Sequence, residues 1–292
     1  MEVTETISIV PTAAVLGAEV CGVDLAHLAD DAFRRIDAAL SQYGMLFIRN
    51  QDITVEQQIA FAKRFGGVEP NVNQQACLPG YPEVLVVSNV RENGRLIGVS
   101  DAGITWHTDQ SSYPRPPRCS VLYAKEVPVA DDGTVLGDTI FSSAAAAYDA
   151  LPGEIKTRLQ GRRVSHSYMG RLLARKKAVG LTREIPADHA QKMPLMWHPL
   201  FRTHPVTGRK SIYVTEGECT SIEGIPDDEA LALIAQLHQL VTEPRFHYRH
   251  RWQRGDVIMW DNCTCQHLAV RDYQEDQRRL MYRVSVDGSV PF

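Results

Sequence analysis

The chain has 292 residues, 44% hydrophobic and 23% charged, and its 31 Lys and Arg stand against 35 Asp and Glu for a formal net charge of −4. This composition supports a substantial core, excludes a disordered chain, and gives no overall positive field that would gather nucleic acid or an acidic membrane. Small molecules are the expected partners, with a homo-oligomer left open. The 6 cysteines are too sparse for a disulfide scaffold. No apolar run of about eighteen residues occurs, and MEVTETISIV lacks the basic-then-apolar order of a secretion signal. The sequence therefore reads as cytoplasmic, with reduced and mostly buried thiols.

ISIVPT reads as a strand, GAEVCGVDL as a turn, DDAFRRIDAALSQYG as a helix and MLFIRN as the next strand. Asp30 or Asp31 can cap that helix, Phe33, Ile36 and Leu40 share one face, and Gly44 stops it. TVEQQIAFAKRFG is a second helix with Thr54 as N-cap, Gln57 as its capping-box partner, and Ile59, Phe61, Ala62 and Phe65 on the apolar side. From Glu83 the period becomes that of strands, in EVLVVSNV, RLIGV, RCSVLYAKEVP and GDTIFSS. Helices return in SAAAAYDALP, GEIKTRLQG and DDEALALIAQLHQLV, where Leu231, Ile234, Leu237 and Leu240 or Val241 form a stripe. SIYVTEG, RFHYRHRW, GDVIMW and RRLMYRVSVDG complete the strands. Strands without regular strand–helix alternation disfavour a doubly wound sheet, so the expected fold is mainly β with peripheral helices, a sandwich or jelly roll.

Neither an internal repeat nor a linker marks a boundary, which predicts a single domain over 1–292. Within 161–193, eight Lys and Arg face two acids, an excess of six. That segment is either a solvated helical face or a candidate lid that attracts anions.

In ITWHTDQSS, His107 and Asp109 lie two residues apart and, on extended chain, point to one side with Thr108 on the other. His247, His250 and His267 could each supply a third ligand. His247 and His250 sit in a basic stretch that reads as an exposed edge strand, whereas His267 follows an apolar strand that runs into a turn. Two histidines and one carboxylate with open positions is the facial arrangement of non-haem Fe(II) oxygenases.

The chain resembles the taurine/2,4-D dioxygenase group of Fe(II)- and 2-oxoglutarate-dependent oxygenases. The resemblance rests on WHTD at 106–109, GDT at 137–139 followed by AYDALP, HPLFRTHPVTGRKSIYV at 198–214, the W-x-x-GD-x-x-x-WDN-x-x-x-x-H run from Trp252 to His267, and QRRLMYR at 277–283. It implies a double-stranded β-helix of the cupin-like jelly-roll kind, with Fe(II) held by His107, Asp109 and His267. It also implies 2-oxoglutarate and O2 as cosubstrates, with the distal carboxylate of the keto acid on Thr139 and Arg279. One extra residue between His267 and QRR, relative to the taurine enzyme, leaves Arg278 as the alternative. On a strand Arg279, Met281, Arg283 and Ser285 share one face. A planar guanidinium forking onto a carboxylate is the chemistry such a position needs.

The group's reaction makes succinate and CO2 while hydroxylating a C–H bond, and the product fragments when the carbon bears sulfonate, sulfate or an ether oxygen. Taurine-oxidising members carry a His after the Phe-Gly that ends the second helix and an Asn four residues before the first metal ligand. Here those positions are Gly67 and Gly103. VVSNVRENG resembles the aryloxyalkanoate branch, and the expected substrate is a small anionic organic molecule: an aryloxyalkanoate, alkyl sulfate, sulfonate or other carboxylate. Asn71, Asn73, Asn89, Tyr168 and Arg283 are its candidate contacts. A zinc hydrolase on the same triad and a non-catalytic cupin-like binding protein are the rival classes. In WDNCTCQHLAV the alternation of Cys263, Cys265 and His267 suggests a thiolate site, but a turn after Asn262 breaks the shared face, so only His267 is expected to touch metal.

Overall fold

The computed structural model describes residues 7–179 and 195–292. Its largest sheet is built from β1 (Ser8–Pro11), β2 (Ala18–Cys21), β3 (Met45–Ile48), β4 (Cys77–Leu78) and β5 (Tyr81–Ser88). A short hairpin of β6 (Arg91–Glu92) and β7 (Arg95–Leu96) follows, and then β8 (Cys119–Glu126) and β9 (Thr139–Ser143). β10 (Arg163–His166), β11 (Met196–Pro199), β12 (Phe201–Thr203), β13 (Lys210–Ile212) and β14 (Cys219–Ile222) form small outer sheets. The C-terminal strands are β15 (His247–His250), β16 (Val257–Asp261), β17 (Cys265–Ala269) and β18 (Leu280–Val286). The large sheet runs β1-β2-β3-β16-β8-β18-β5-β4, and a second sheet runs β15-β9-β17.

The central strands are buried on both faces, which is why they read as continuous apolar runs. In β16, Val257 and Met259 join the core beneath the N-terminal helices, while Ile258 and Trp260 point the other way, toward Phe141 of β9 and Cys265 of β17. β8 divides identically, Val121 and Tyr123 against Leu122 and Ala124. In β18, Val284 and Val286 face the helices and Met281 faces the second sheet. The chain is thus mainly β, with two sheets packed face to face and helices outside.

Helix α1 (Asp30–Tyr43) buries Ile36 and Leu40 and ends at Gly44, whose φ of 73° suits a residue without a side chain. The expected aspartate cap is absent: the N-cap is Ala29, and Asp30 lies within the helix and pairs with Arg64. Helix α2 (Val55–Lys63) has the full Thr54–Gln57 capping box. Helices α3 (Ala144–Ala150), α4 (Gly153–Leu159) and α6 (Asp227–Val241) pack with β10, β13 and β14 around a separate core. In α6 the buried stripe is Ala230, Leu233, Ile234, Leu237 and Val241, so the expected face holds at Ile234, Leu237 and Val241 and is corrected at Leu231, which is exposed. The expected edge role of β15 holds, but His250 is fully buried against Asp256 at 3.0 Å rather than exposed.

Of the basic segment 161–193, residues 180–193 lie outside the described residues; the rest forms β10 and α5 (Tyr168–Val179). The start of α5 is seated by close backbone approach. A Cβ on Gly170 would lie 2.3 Å from the carbonyl oxygen of Gly217, so only glycine fits there. In the same layer His166 is buried, 3.7 Å from Cys219 Sγ and beside Tyr213.

Candidate active site

His107 lies on the extended stretch before β8 and His267 on β17. Their main chains exchange hydrogen bonds, His107 N to His267 O at 3.2 Å and His267 N to His107 O at 2.9 Å. The ladder brings the two rings to a centroid separation of 4.1 Å, and Asp109, two residues on from His107, points the same way. One ligand atom from each of His107, Asp109 and His267 lies within 4.8 Å of the others, and all three residues are buried. His107 Nδ1 donates to the carbonyl of Thr105 at 2.8 Å, which fixes the tautomer and leaves Nε2 3.6 Å from Asp109 Oδ1.

The turn of WDN supports this cluster from behind. Asn262 Oδ1 accepts from Trp260 Nε1 at 3.0 Å and from Asp109 N at 3.3 Å, and Asn262 O accepts from Thr108 Oγ1 at 2.9 Å. Ser120 Oγ donates to Asp109 Oδ2 at 2.6 Å, and Asn262 Nδ2 donates to Ser120 Oγ at 3.3 Å. Asp261 accepts from His204 Nε2 at 2.8 Å. The WDN motif therefore orients the carboxylate without touching the cluster point itself.

Burial opposes ionisation of Asp109, but the Arg283 guanidinium, whose Nη1 donates to Oδ1 at 2.9 Å, together with His107 holds the carboxyl well below its usual range. Burial, then the neighbouring His107, pushes His267 well below the ordinary imidazole range. His267 is thus neutral, and among the described residues its buried Nδ1 has no partner. An anionic carboxylate beside imidazole donors is the donor set that suits Fe(II).

The two thiols of CTCQH stand apart from this set. Cys265 Sγ points to the carbonyl of Gly44 at 3.1 Å, and burial pushes Cys263 up to about 12 and Cys265 higher. Both stay protonated, and neither belongs to the buried group of three.

Thr139 begins β9 on the face it shares with Phe141, and Arg279 immediately precedes β18. Trp252 Nε1 donates to Thr139 Oγ1 at 3.1 Å, which leaves the hydroxyl proton free for another acceptor. Arg279 is only 4% exposed, and burial lowers its guanidinium. Among the described residues that guanidinium has no ion pair or hydrogen bond, whereas its backbone N donates to Asn89 Oδ1 at 2.8 Å. A buried, unpaired guanidinium calls for an anion. Gly137, with φ of 74°, comes so close that a Cβ would lie 3.2 Å from Arg279 Nε. Arg278 points outward and forks onto Glu126 at 2.6 and 2.9 Å.

A cavity of about 370 Å³ opens beside His107 and is lined by Asn71, Asn73, Tyr168 and Arg283 of the expected contacts. Asn89 is a correction: it does not line the cavity, and its amide is taken up by the carbonyl of Gln277 at 2.9 Å and the Arg279 amide. Its role is to fix the loop before β18. Sequence reasoning missed Asn262 and Ser120, which no spacing rule connects to Asp109, and also Tyr113 and Gln110 of the cavity wall. Arg171 was visible only as one charge in a basic run.

A buried pair of histidines and a carboxylate, open to a cavity and flanked by an unpaired arginine on a mainly β scaffold, defines the class of 2-oxoglutarate-dependent non-haem oxygenases. Residues 8–285 match the family described as "Taurine catabolism dioxygenase TauD, TfdA family". The chain is 33% identical to the alpha-ketoglutarate-dependent 2,4-dichlorophenoxyacetate dioxygenase of Cupriavidus pinatubonensis, over 96% of this chain and 98% of that one. It is 34% identical to the (S)-phenoxypropionate/alpha-ketoglutarate-dioxygenase of Sphingobium herbicidovorans, over 96% and 94%. The crystal structure of AAD-2 with Mn(II) and N-oxalylglycine superposes with a TM-score of 0.81 at 32% identity, covering 98% of this chain and 99% of that one. The chain belongs to the TauD, TfdA family and is an alpha-ketoglutarate-dependent dioxygenase. This sets aside the hydrolase and the non-catalytic binding protein. No helix among the described residues is long and apolar enough to cross a membrane.

Proposed function

We propose that the enzyme hydroxylates a C–H bond of a small anionic organic substrate, an aryloxyalkanoate in the first instance, with alkyl sulfates, sulfonates and other carboxylates as the wider class. The observation that carries the site assignment is the pairing of one buried ligand cluster, His107, Asp109 and His267, with one buried and unpaired guanidinium, Arg279. In this reading the three residues hold Fe(II), and Arg279 with Thr139 neutralises the distal carboxylate of 2-oxoglutarate. Bound iron would supply the coupling of O2 to oxidative decarboxylation of the keto acid, giving succinate, CO2 and hydroxylated substrate. The protein's own part is to keep Asp109 ionised through Arg283 and Ser120, to orient the imidazoles, and to shield the reacting bond behind Leu85, Val99 and Ile104. When the hydroxylated carbon bears an ether oxygen, the product is a hemiacetal that breaks into a phenol and a carbonyl compound.

Two glycines support an aryloxy acid over taurine. A Cβ on Gly67 would lie 2.4 Å from Asp287 Oδ2, so a histidine there has no room while Asp287 keeps its place. Gly103 has φ of 76°, and a Cβ would come within 3.3 Å of Ala269 Cβ and 3.6 Å of His107 Cε1. The scaffold is read as a double-stranded β-helix acting as one domain over 1–292, which the facing sheets and the match over 8–285 support. Asn71, Asn73, Tyr168 and Arg283 remain the substrate-side candidates. The test is substrate-dependent succinate formation with Fe(II), ascorbate and 2-oxoglutarate across aryloxy acids, alkyl sulfates and sulfonates. Succinate release that no member of the panel stimulates would overturn the substrate class.

A further inference from the structure

A threonine hydroxyl carries one proton and two lone pairs, and it rotates to suit its partners. A carboxylate accepts hydrogen bonds and donates none, so such a hydroxyl serves it only when the proton points the right way. At Thr139, which is 4% exposed, one neighbour limits that rotation. Trp252 Nε1, a group that can only donate, lies 3.1 Å from Thr139 Oγ1 and takes up one lone pair. Among the described residues Thr139 Oγ1 donates to no acceptor in return.

The indole is itself held. Trp252 is 1% exposed, and the ring of His250 meets it edge to face, with centroids 4.7 Å apart and planes at 82°. His250 is the backbone partner of Thr139 across β15 and β9, and its Nε2 lies 3.0 Å from Asp256 Oδ2. The same oxygen accepts from Gln253 N at 2.8 Å and from Arg49. Asp256 thus fixes the residues on both sides of Trp252 along the chain. Beyond the hydroxyl, the close approach of Gly137 brings the GDT stretch against Arg279 Nε. One neutral donor with a fixed direction is therefore built next to the stretch that carries the buried, unpaired guanidinium.

We propose that Trp252 is a positioning residue for the keto acid: its indole N–H holds the Thr139 hydroxyl as a donor to the distal carboxylate of 2-oxoglutarate, and His250 and Asp256 hold the indole. This role deepens the proposed function and rests on its placing that carboxylate on Thr139 and Arg279. Arg279 supplies the charge, and Trp252 supplies the direction of the neutral bond. A hydroxyl that accepts one hydrogen bond is also a stronger donor in the next, so the indole strengthens the contact that it orients.

The test is calorimetric and needs no turnover: Mn(II)-loaded protein is titrated with 2-oxoglutarate. Thr139→Val should weaken binding about 10- to 100-fold, the worth of a bond to a charged acceptor. Trp252→Phe keeps a ring against His250 but removes the donor, and should cost about 3- to 10-fold, roughly one neutral hydrogen bond. The double variant should match Thr139→Val within about 2-fold, because the indole acts through the hydroxyl. Wild-type affinity in Trp252→Phe or in Thr139→Val overturns the role of Trp252. So does a double variant whose loss is the product of the two single losses, since the indole would then support the fold and not the hydroxyl. Arg279→Met separates the two readings: wild-type affinity there overturns the keto-acid anchor of the proposed function, whereas loss there with wild-type affinity in Trp252→Phe overturns the role of Trp252 alone. A second readout keeps the indole in place. In Zn(II)-loaded protein labelled with 15N-tryptophan, the indole N–H resonance that Thr139→Val moves most should also move when 2-oxoglutarate is added to the wild type; a resonance that ignores the keto acid overturns the proposal.

Discussion

Asn262 Oδ1 accepts from the backbone N of Asp109 at 3.3 Å, so the turn after β16 sets the carboxylate that stands beside the strand after it. The same amide reaches Ser120 Oγ, which in turn donates to Asp109 Oδ2. Removing such a support costs metal affinity without removing a ligand. Asn262→Ala should weaken Fe(II) or Mn(II) binding about 10- to 100-fold, read by metal titration of the apoprotein. Wild-type affinity in that variant would remove the WDN turn from the metal site.

The adjacent arginines just before β18 should behave oppositely. Arg279→Met removes the buried cation and should raise the KM for 2-oxoglutarate about 100-fold or more, because a charged hydrogen-bonded pair is lost from a buried site. Arg278→Met breaks only an exposed, solvent-screened fork to Glu126 and should leave that KM unchanged. Steady-state kinetics in 2-oxoglutarate distinguish them, and equal effects would refute the division.

His166 gives the protein an acid-sensitive layer away from the metal. Burial, then His198 and Arg202, lowers its imidazole from 6.5 to about 3. Between those values the unfolded chain takes up a proton that the folded chain refuses, so stability falls as pH drops below 6.5 and the loss is complete near pH 3. The slope is at most about 1.4 kcal/mol per pH unit for this residue. Urea midpoints from pH 4.5 to 7.5 should slope less in His166→Gln than in the wild type; parallel slopes would remove His166 as the cause.

Leu233 and Leu231 of α6 should separate in the same way. Leu233 is 6% exposed, and Leu233→Ala should cost about 2–5 kcal/mol. Leu231 is 51% exposed, and Leu231→Ser should stay within about 0.5 kcal/mol. Thermal denaturation measures both.

This last pair marks where sequence reading stopped. DDEALALIAQLHQLV contains leucines that fit two overlapping helical stripes, and only the packing on β14 selects the one through Leu233. Local signals fared better when their chemistry was complete: the Thr54–Gln57 box formed, and Gly44 took the left-handed conformation. Asp30 failed as a cap because Arg64 of the next helix claims its carboxylate. At the site, the HxD spacing was legible because extended chain places alternate residues together. The cavity wall around Tyr113 and Arg171 was not, because α5 is seated on the turn before β14 through the contact of Gly170 with Gly217, and glycine–glycine contacts carry no periodicity. His250 misled for a related reason. A basic strand looked solvent-facing, yet its odd and even residues diverge, with Arg249 reaching Asp138 and His250 reaching Asp256.

The pairing of β18 has a consequence for how the chain tolerates insertions. Val284 and its neighbours are locked in register with both β5 and β8, and the shift between Leu280 and Met281 lies at the start of the strand. Which arginine turns inward is therefore decided by the two flanking strands rather than by the number of residues in the loop leading to them. Single-residue changes in the loop from 270 to 277 should therefore leave the inward orientation of Arg279 intact. Changes to that loop should alter the rim of the molecule and leave the keto-acid anchor in phase.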